Sequence, residues 1–281
     1  MGRFWSLLFL SVPVIGVLAF VCAIGNLWPM SGGAFAFPAD HWLPTNVSDD
    51  GVVIDHLFMF ILGLTGVIFV GTSLALFLFM WQYDSDKRAE PAKFTHGSHA
   101  LEIVWSIVPA ATLLFIAIYQ MNAWADAKMR RPTEAIAGND VPKRPLVEVT
   151  GRQFEWRLRY AGADGEIGTP DDLYVVNDLH LPVNEEIVIA IKSEDVLHSF
   201  FLPNLRIKQD IVPGMKQFVW FRANQTGVFD VVCAELCGWG HYKMRGRMTI
   251  ESREKFDAWL QQQIEEQERS EFTPNVGEED E

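Results

Sequence analysis

Three apolar runs, Phe4–Trp28, Ile54–Trp81 and Leu101–Ala123, dominate the first half of this 281-residue chain. A helix of about 20 apolar residues covers the hydrocarbon core of a bilayer, so each run approaches or exceeds a span. Beyond Pro145 no such run recurs. The hydrophobic content of 49% therefore averages two unlike halves, a membrane anchor and a water-facing part. The first run, residues 1–30, has a second reading as a signal peptide, because Ala34-Phe35-Ala36 has the small-x-small form of a cleavage site. Against it, the run is long for a signal sequence and only Arg3 precedes it. Cys22 lies inside the run, reads as a small buried residue, and follows Val21 rather than the small residue that lipid attachment needs.

Basic residues orient the anchor. The loop Pro29–His56 has no Lys or Arg, whereas Tyr83–His99 contains Lys87, Arg88 and Lys93. The N-terminus and the second loop therefore face inward, and the C-terminal half faces outward. Lys128, Arg130 and Arg131 oppose this, but they open a large translocated domain, where the rule is weaker. The net charge of −13 excludes a nucleic-acid partner and suits a cationic protein. Part of that charge sits in the solvated tail Glu278–Glu281. Glu102 opens the third run. By position it is either an interfacial carboxylate favoured by the helix dipole or a proton-accepting group facing a partner subunit.

From Pro145 the pattern changes to short runs: Val147–Val149, Phe154–Tyr160, Ile187–Ile191, Phe218–Phe221, Val228–Val232 and Arg247–Ile250. Gly, Asn, Asp and Pro punctuate them, which predicts a β-sandwich or barrel. Residues Arg253–Glu268 follow as an amphipathic helix with Phe256, Trp259, Leu260 and Ile264 on one face. The acidic stretch Asp164–Asp172 does not match an EF-hand loop and reads as a hairpin excursion.

The chemistry concentrates in Cys233-Ala-Glu235-Leu-Cys237-Gly-Trp-Gly-His241-Tyr-Lys-Met244. Thiolates, an imidazole and a thioether select copper over hard cations. A mononuclear blue-copper site uses one Cys, and the second thiol four residues on can bridge two ions. A second imidazole is then required, and His198 in Ser193-Glu194-Asp195-Val196-Leu197-His198 is the candidate, just past a strand. The backbone carbonyl of Glu235 and the Met244 thioether complete the set. A plain disulfide, a zinc site and a thioredoxin-like copper carrier are the competing readings. The Met fits zinc poorly, and a carrier would place its cysteines early, before a long helix.

Ser193–His198, the stretch Ile207–Gly214, the Cys233–Met244 loop and Leu101–Ala110 of the third run together resemble subunit II of cytochrome c oxidase, in the haem-copper oxidase family. The likeness runs from the second apolar run to Ile250. It implies an anchor of two or three transmembrane helices, with spans at 54–81 and 101–123. An all-β cupredoxin domain, a Greek-key sandwich, would follow at 145–252, then a C-terminal helix and acidic tail at 253–281. It further implies a binuclear copper centre (CuA) held by His198, Cys233, Glu235, Cys237, His241 and Met244. The Glu235 carboxylate matches the family's ligand to a magnesium ion shared with subunit I. Glu102 matches the entrance of a proton pathway, and Asp195 and Asp210 match acidic positions facing cytochrome c. Phe154 stands where the family usually has the Trp at which electrons enter, with Trp156 two residues on. The family's Trp after the first His is also missing, and Phe200 stands two residues past His198. The chain lacks a C-x-x-C-H haem-attachment motif, so the donor, cytochrome c or another protein, is separate. Subunits I and III and membrane lipid are the other expected partners. The expected location is the bacterial inner membrane with the copper domain on the periplasmic side. A quinol oxidase subunit II would lack the copper ligands, and a nitrous oxide reductase would need a propeller domain.

Overall fold

The computed structural model describes residues 2–24, 43–83, 94–136, 138–162 and 164–269. The chain divides into two compact units, Met1–Thr45 with Asp55–Gln120, and Asn46–Ile54 with Met121–Glu281.

The first unit is helical: α1 (Gly2–Ile24), α2 (Asp49–Gln82) and α3 (His99–Lys128). α2 and α3 contain the second and third apolar runs, with mean hydropathies of 2.2 and 2.1, and neither apolar window is buried. Val67, Phe79, Leu113 and Ile118 all point outward. A chain in water would hide such a surface, whereas in lipid a helix satisfies its own backbone and exposes only apolar side chains. Phe60 of α2 meets Phe115 and Tyr119 of α3, at ring-centroid distances of 6.4 and 5.7 Å. α1 is helical to Ile24. The Ala34–Ala36 motif, the basic residues Lys87, Arg88 and Lys93, and the acidic tail lie outside the described residues.

The second unit begins with a hairpin, β1 (Thr133–Ile136) and β2 (Asn139–Pro142). Ten further strands follow: β3 (Val147–Arg152), β4 (Glu155–Tyr160), β5 (Leu173–Val176), β6 (Asp178–Pro182), β7 (Glu186–Ser193), β8 (His198–Leu202), β9 (Ile207–Ile211), β10 (Gln217–Arg222), β11 (Gly227–Cys233) and β12 (Arg245–Glu251). They form two five-stranded sheets, ordered β10-β7-β3-β4-β5 and β6-β12-β11-β8-β9. β3 with β7 and β6 with β12 are parallel pairs, and the other pairings are antiparallel. Val147, Val149, Leu158 and Ile189 from one sheet and Leu181, Phe200, Leu202 and Met248 from the other are buried in one cluster. The fold is thus a membrane anchor followed by a cupredoxin-type β-sandwich.

Five of the six short runs read from the sequence fall within a strand, and the sixth overruns β4 by Phe154, which lies in the β3–β4 turn. The β1–β2 hairpin, β5, β6, β8 and β9 were not anticipated. β8 (His-Ser-Phe-Phe-Leu) is nearly continuously buried and lacks alternation, and β6 contains a His and ends on a Pro. The consequence for the site is that His198 is the first residue of a strand rather than part of a loop.

α4 (Arg253–Arg269) docks on the sandwich through the expected face, with Phe256 buried and Trp259, Leu260 and Ile264 packed against the core. Trp259 stacks on His180 at 3.9 Å with an interplanar angle of 3°. Tyr160 accepts the His180 N–H at 2.7 Å and donates to its carbonyl at 3.0 Å. Near the helix end, the Gln267 side chain accepts from Tyr174 N–H and donates to the Asp172 carbonyl, each at 2.9 Å, so it pairs edge strand β5 in place of another strand.

The helix ends that belong to the second unit are sewn into it. Ser48 Oγ caps α2 by accepting from Gly51 N–H at 2.9 Å and donates to the Leu205 carbonyl at 3.2 Å. At the end of α3, Lys128 donates to Gln209 Oε1 at 2.8 Å, and Trp220 Nε1 donates to the Asp126 carbonyl at 2.7 Å.

One buried carboxylate makes the sandwich acid-sensitive. Glu148 of β3 is 4% exposed and lies 3.1 Å from Lys192 Nζ and 2.5 Å from Lys216 Nζ. Burial pushes its carboxyl up, but the two lysines outweigh this and hold it below the ordinary value of 4.5. A depressed folded-state value adds stability above the unfolded value, and that stability is lost as pH falls through the folded one. Glu148→Gln is expected to cost about 1–3 kcal/mol at neutral pH. In denaturant unfolding at a series of pH values, the gap from wild type narrows below pH 4.5. A gap independent of pH would contradict this.

Candidate metal centre

The site sits at one end of the sandwich and is built from three connections: the β3–β4 turn, the β7–β8 loop and the β11–β12 loop. Strand register sets its first half. Cys233, the last residue of β11, pairs with Phe200 of β8. Residues two apart in a strand share a face, so His198 comes alongside the Cys233 thiol. Backbone hydrogen bonds shape the second half. Cys233 N–H donates to the Met244 carbonyl at 3.2 Å and closes the loop at its base. Within it, His241 N–H donates to the Gly238 carbonyl and Met244 N–H to the His241 carbonyl, which winds the segment into a 3-10 turn over His241–Lys243.

The result brings together all six donors read from the sequence. Cys233 and Cys237 are free thiols with sulfurs 3.9 Å apart. Cys233 Sγ is 3.9 Å from His198 Nδ1 and 3.2 Å from the Glu235 carbonyl oxygen. Cys237 Sγ is 3.7 Å from His241 Nδ1 and 3.8 Å from Met244 Sδ. His198 and Met244 are buried. Each thiol is thus faced by the Nδ1 of its own imidazole.

Asp195 orients the first imidazole. Its Oδ1 lies 2.8 Å from His198 Nε2 and accepts Val196 N–H at 2.6 Å, while Oδ2 accepts Gln153 N–H at 2.8 Å. The carboxylate fixes Nε2 and leaves Nδ1 facing the thiols, and a ring neutral with its proton on Nε2 would offer the Nδ1 lone pair to a metal. Burial raises the Asp195 carboxyl, and the hydrogen bonds from Gln153, His198 and Val196 more than reverse it. Burial likewise opposes charging of His198, and Cys233 and Asp195 outweigh it, raising the imidazole above its ordinary value. The thiols diverge. Burial pushes Cys233 up, but hydrogen bonds from His198, from the backbone of Ser199 and Glu235, and from His241 bring it below the usual thiol range. Burial and the neighbouring Cys233 charge push Cys237 above it. A site that holds one thiolate beside the other thiol is poised to lose the second proton to a bound cation.

This geometry separates the competing readings. Two ligands of one zinc ion, at about 2.3 Å for S and 2.0–2.1 Å for N, can never stand more than about 4.6 Å apart. His198, Cys233 and Cys237 fall within 4.8 Å of one another, close to that limit. Zinc has no use for the Met244 thioether, which lies 3.8 Å from Cys237 Sγ. The cysteines lie between two strands rather than ahead of a helix, which excludes the thioredoxin-like carrier. The soft donors, two thiols, two imidazoles, a thioether and a carbonyl, fit copper.

The other residues singled out from the sequence are placed as follows. Phe154 sits at the end of the β3–β4 turn, against the Cys233–Met244 loop. Cβ atoms built on Gly240 and Gly238 would come within 2.5 and 3.1 Å of its ring. Gly238 also has φ +138°, which favours glycine. Gln153 Nε2 donates to the Cys237 carbonyl at 2.5 Å. Trp156 is buried, with its ring 6.3 Å from His198 and 5.4 Å from Phe200, so it lies inside the sandwich rather than at its surface. Asp210 is exposed on β9 and pairs with Lys208 at 2.8 Å. The half-buried Glu235 lies within the loop. Glu102, in the first turn of α3 in the other unit, is exposed and 3.2 Å from His99 Nδ1. Sequence reasoning missed Asp195 as the holder of His198 and Gln153 as a support of the loop. The only available signal was the spacing of three residues between Asp195 and His198.

Fold and site together define a membrane-anchored cupredoxin-type protein with a His/Cys/Cys cluster compatible with copper binding. Two family models match: "Cytochrome C oxidase subunit II, transmembrane domain" over residues 38–123 and "Cytochrome C oxidase subunit II, periplasmic domain" over residues 160–252. Between them they cover more than half of the chain, and this chain belongs to the cytochrome c oxidase subunit II family. It is similar to the alternative cytochrome c oxidase subunit 2 of Bradyrhizobium diazoefficiens, 40% identical over 42% of this chain and 50% of that protein. It is also similar to cytochrome c oxidase subunit 2 of Thermostichus vulcanus, 26% identical over 84% of this chain and 85% of that one. The match spans half the length of the first of these relatives. Among solved structures, it is similar to the periplasmic domain of subunit II of cytochrome oxidase of Bradyrhizobium japonicum. That likeness is 27% identity over 45% of this chain and 98% of that one, with a TM-score of 0.40.

The role of Asp195 is open to test. Asp195→Ala frees the imidazole and is expected to lower copper affinity about 10–100-fold in competition titrations, the usual cost of removing such a partner. Asp195→Asn, which keeps an acceptor oxygen, costs less. Equal affinities in all three proteins would contradict the assignment.

Proposed function

We propose that this chain is the electron-accepting subunit of a respiratory cytochrome c oxidase. It takes electrons from a separate donor, such as cytochrome c, and passes them to subunit I, where dioxygen is reduced to water. The observation that carries this reading is the pair of free thiols, each faced by Nδ1 of its own imidazole, in a loop closed at its base by backbone hydrogen bonding.

Cys233 and Cys237 would bridge two coppers, with His198 and His241 giving one imidazole to each and Met244 and the Glu235 carbonyl acting as weaker donors. A copper pair so bound supplies one-electron transfer with little change in geometry, since the charge is shared between two ions. The chain's own residues serve that end. Asp195 fixes the His198 ring, Gln153 holds the Cys237 carbonyl, and the 3-10 turn holds His241 and Met244 in register, so the donors are set before any metal arrives. Phe154 lies on the outer side of the loop and Trp156 beneath His198, and both belong to the region where electrons enter. Asp210, with Asp195 beside the site, contributes to the acidic rim that a cationic donor would meet.

The same reading assigns the Glu235 carboxylate to a magnesium ion shared with subunit I. It assigns Glu102 to the entrance of a proton pathway into that subunit, in keeping with proton translocation by the complex. α2 and α3 hold the chain in lipid, with subunits I and III as its neighbours. The sandwich faces the periplasmic side of a bacterial inner membrane, as the distribution of Lys and Arg supports.

In the assembled oxidase, Cys233→Ser and Cys237→Ser are each expected to abolish oxidation of reduced cytochrome c while the subunits still co-purify. Turnover retained in both variants would sink the assignment.

A further inference from the structure

Trp239 lies in the copper loop between Cys237 and His241 and is 76% exposed. A large aromatic in water contributes little to folding, and exposed aromatics are what partner proteins use as anchors. This one is held. Its ring packs edge-on against Phe154, with centroids 5.2 Å apart and an interplanar angle of 67°. Lys243 Nζ lies over the indole ring, 4.3 Å from the centroid. Phe154 in turn is bedded on the glycine backbone of residues 238 and 240, where any side chain would displace it. The contacts therefore run without a break from solvent through Trp239 and Phe154 to the backbone joining two copper-binding residues. Leu236 and Tyr242 of the same loop are also exposed, at 77% and 80%.

Resting on the reading of the site as a copper relay, we propose that Trp239 is the residue on which a protein electron donor docks and through which its electron reaches the site. Phe154, which stands behind it, acts as the second contact. In the transfer, one electron leaves the reduced iron of a haem donor and is taken up at the site, with no bond made or broken and no proton moved. The ammonium over the indole face favours the electron-rich neutral ring and opposes loss of an electron from it. Trp239 therefore serves as contact and coupling bridge rather than as a resting place for charge. The carboxylates near the site make a poor anchor on their own, because both oxygens of Asp195 accept internal hydrogen bonds and Asp210 is paired with Lys208. The partner this surface fits is a donor with an apolar patch around the exposed edge of its haem.

The test uses the assembled oxidase with Trp239→Ala and Trp239→Phe, and a purified reduced monohaem cytochrome c as donor. Stopped-flow reduction, donor affinity, copper content and the copper spectrum are measured together. The expected result for Trp239→Ala is a second-order rate constant and donor affinity lower by about tenfold or more, with copper content and spectrum unchanged. Trp239→Phe recovers most of the loss. An unchanged rate with an intact spectrum overturns the proposal. So does loss of copper in Trp239→Ala, which would make the ring a prop for the loop, or loss of subunit I on purification, which would make it a permanent interface. Failure of the wild-type protein to hold two coppers, or to accept electrons from the cytochrome, would instead overturn the relay reading beneath it.

Discussion

Two thiols 3.9 Å apart are held side by side by the protein backbone rather than by a bond to each other, and the rest of the site follows from that constraint. Cys233 is fixed by its place at the end of a core strand, and Cys237 by a loop whose two ends are joined through Cys233 N–H and the Met244 carbonyl. Once that base is closed, the 3-10 turn sets the directions of His241 and Met244, and the neighbouring strand supplies His198. Burial favours uncharged thiols, so the hydrogen bonds reaching Cys233 are needed to keep one of them ionisable. The Asp195 carboxylate is the hub of this arrangement, because it ties the His198 ring to the β3–β4 turn on which Phe154 stands. Rigidity of this kind suits a centre that must change charge without changing shape.

The same economy of movement extends through the second unit. The cap of α2 is bonded to Leu205, the end of α3 to residues of β9 and β10, and α4 pairs the free edge of β5 through Gln267. Each is a polar link at the margin of an apolar core, and each fixes an element whose own sequence would leave it free. The apolar windows of α2 and α3 are unburied among the described residues, as a lipid-facing surface would be.

Much of this was legible from residue order alone. The spacing of Cys233, Cys237, His241 and Met244 identified the loop, since soft donors at those intervals have few other uses. The six clearest strands and the apolar face of α4 followed from periodicity. What the sequence hid were features that depend on register and on small residues. His198 read as a loop residue because β8 is buried on both faces and does not alternate. Asp195 read as a surface charge, although its oxygens turn inward on Gln153 N–H and His198. Trp156 was grouped with Phe154 at the expected electron entry, and the strand's alternation turns it into the core. The seating of Phe154 on Gly238 and Gly240 joins positions more than eighty residues apart, which no local pattern could show.

Cys233, Cys237, His198 and His241 would together hold a pair of coppers in the proposed relay. The most direct measurement is the electron paramagnetic resonance spectrum of the copper-loaded protein, recorded together with copper per chain. The expected result is two coppers per chain and hyperfine structure from one electron shared equally between two copper nuclei. One copper per chain with a single-nucleus hyperfine pattern, or no retained copper and a Cys233–Cys237 disulfide, would contradict it.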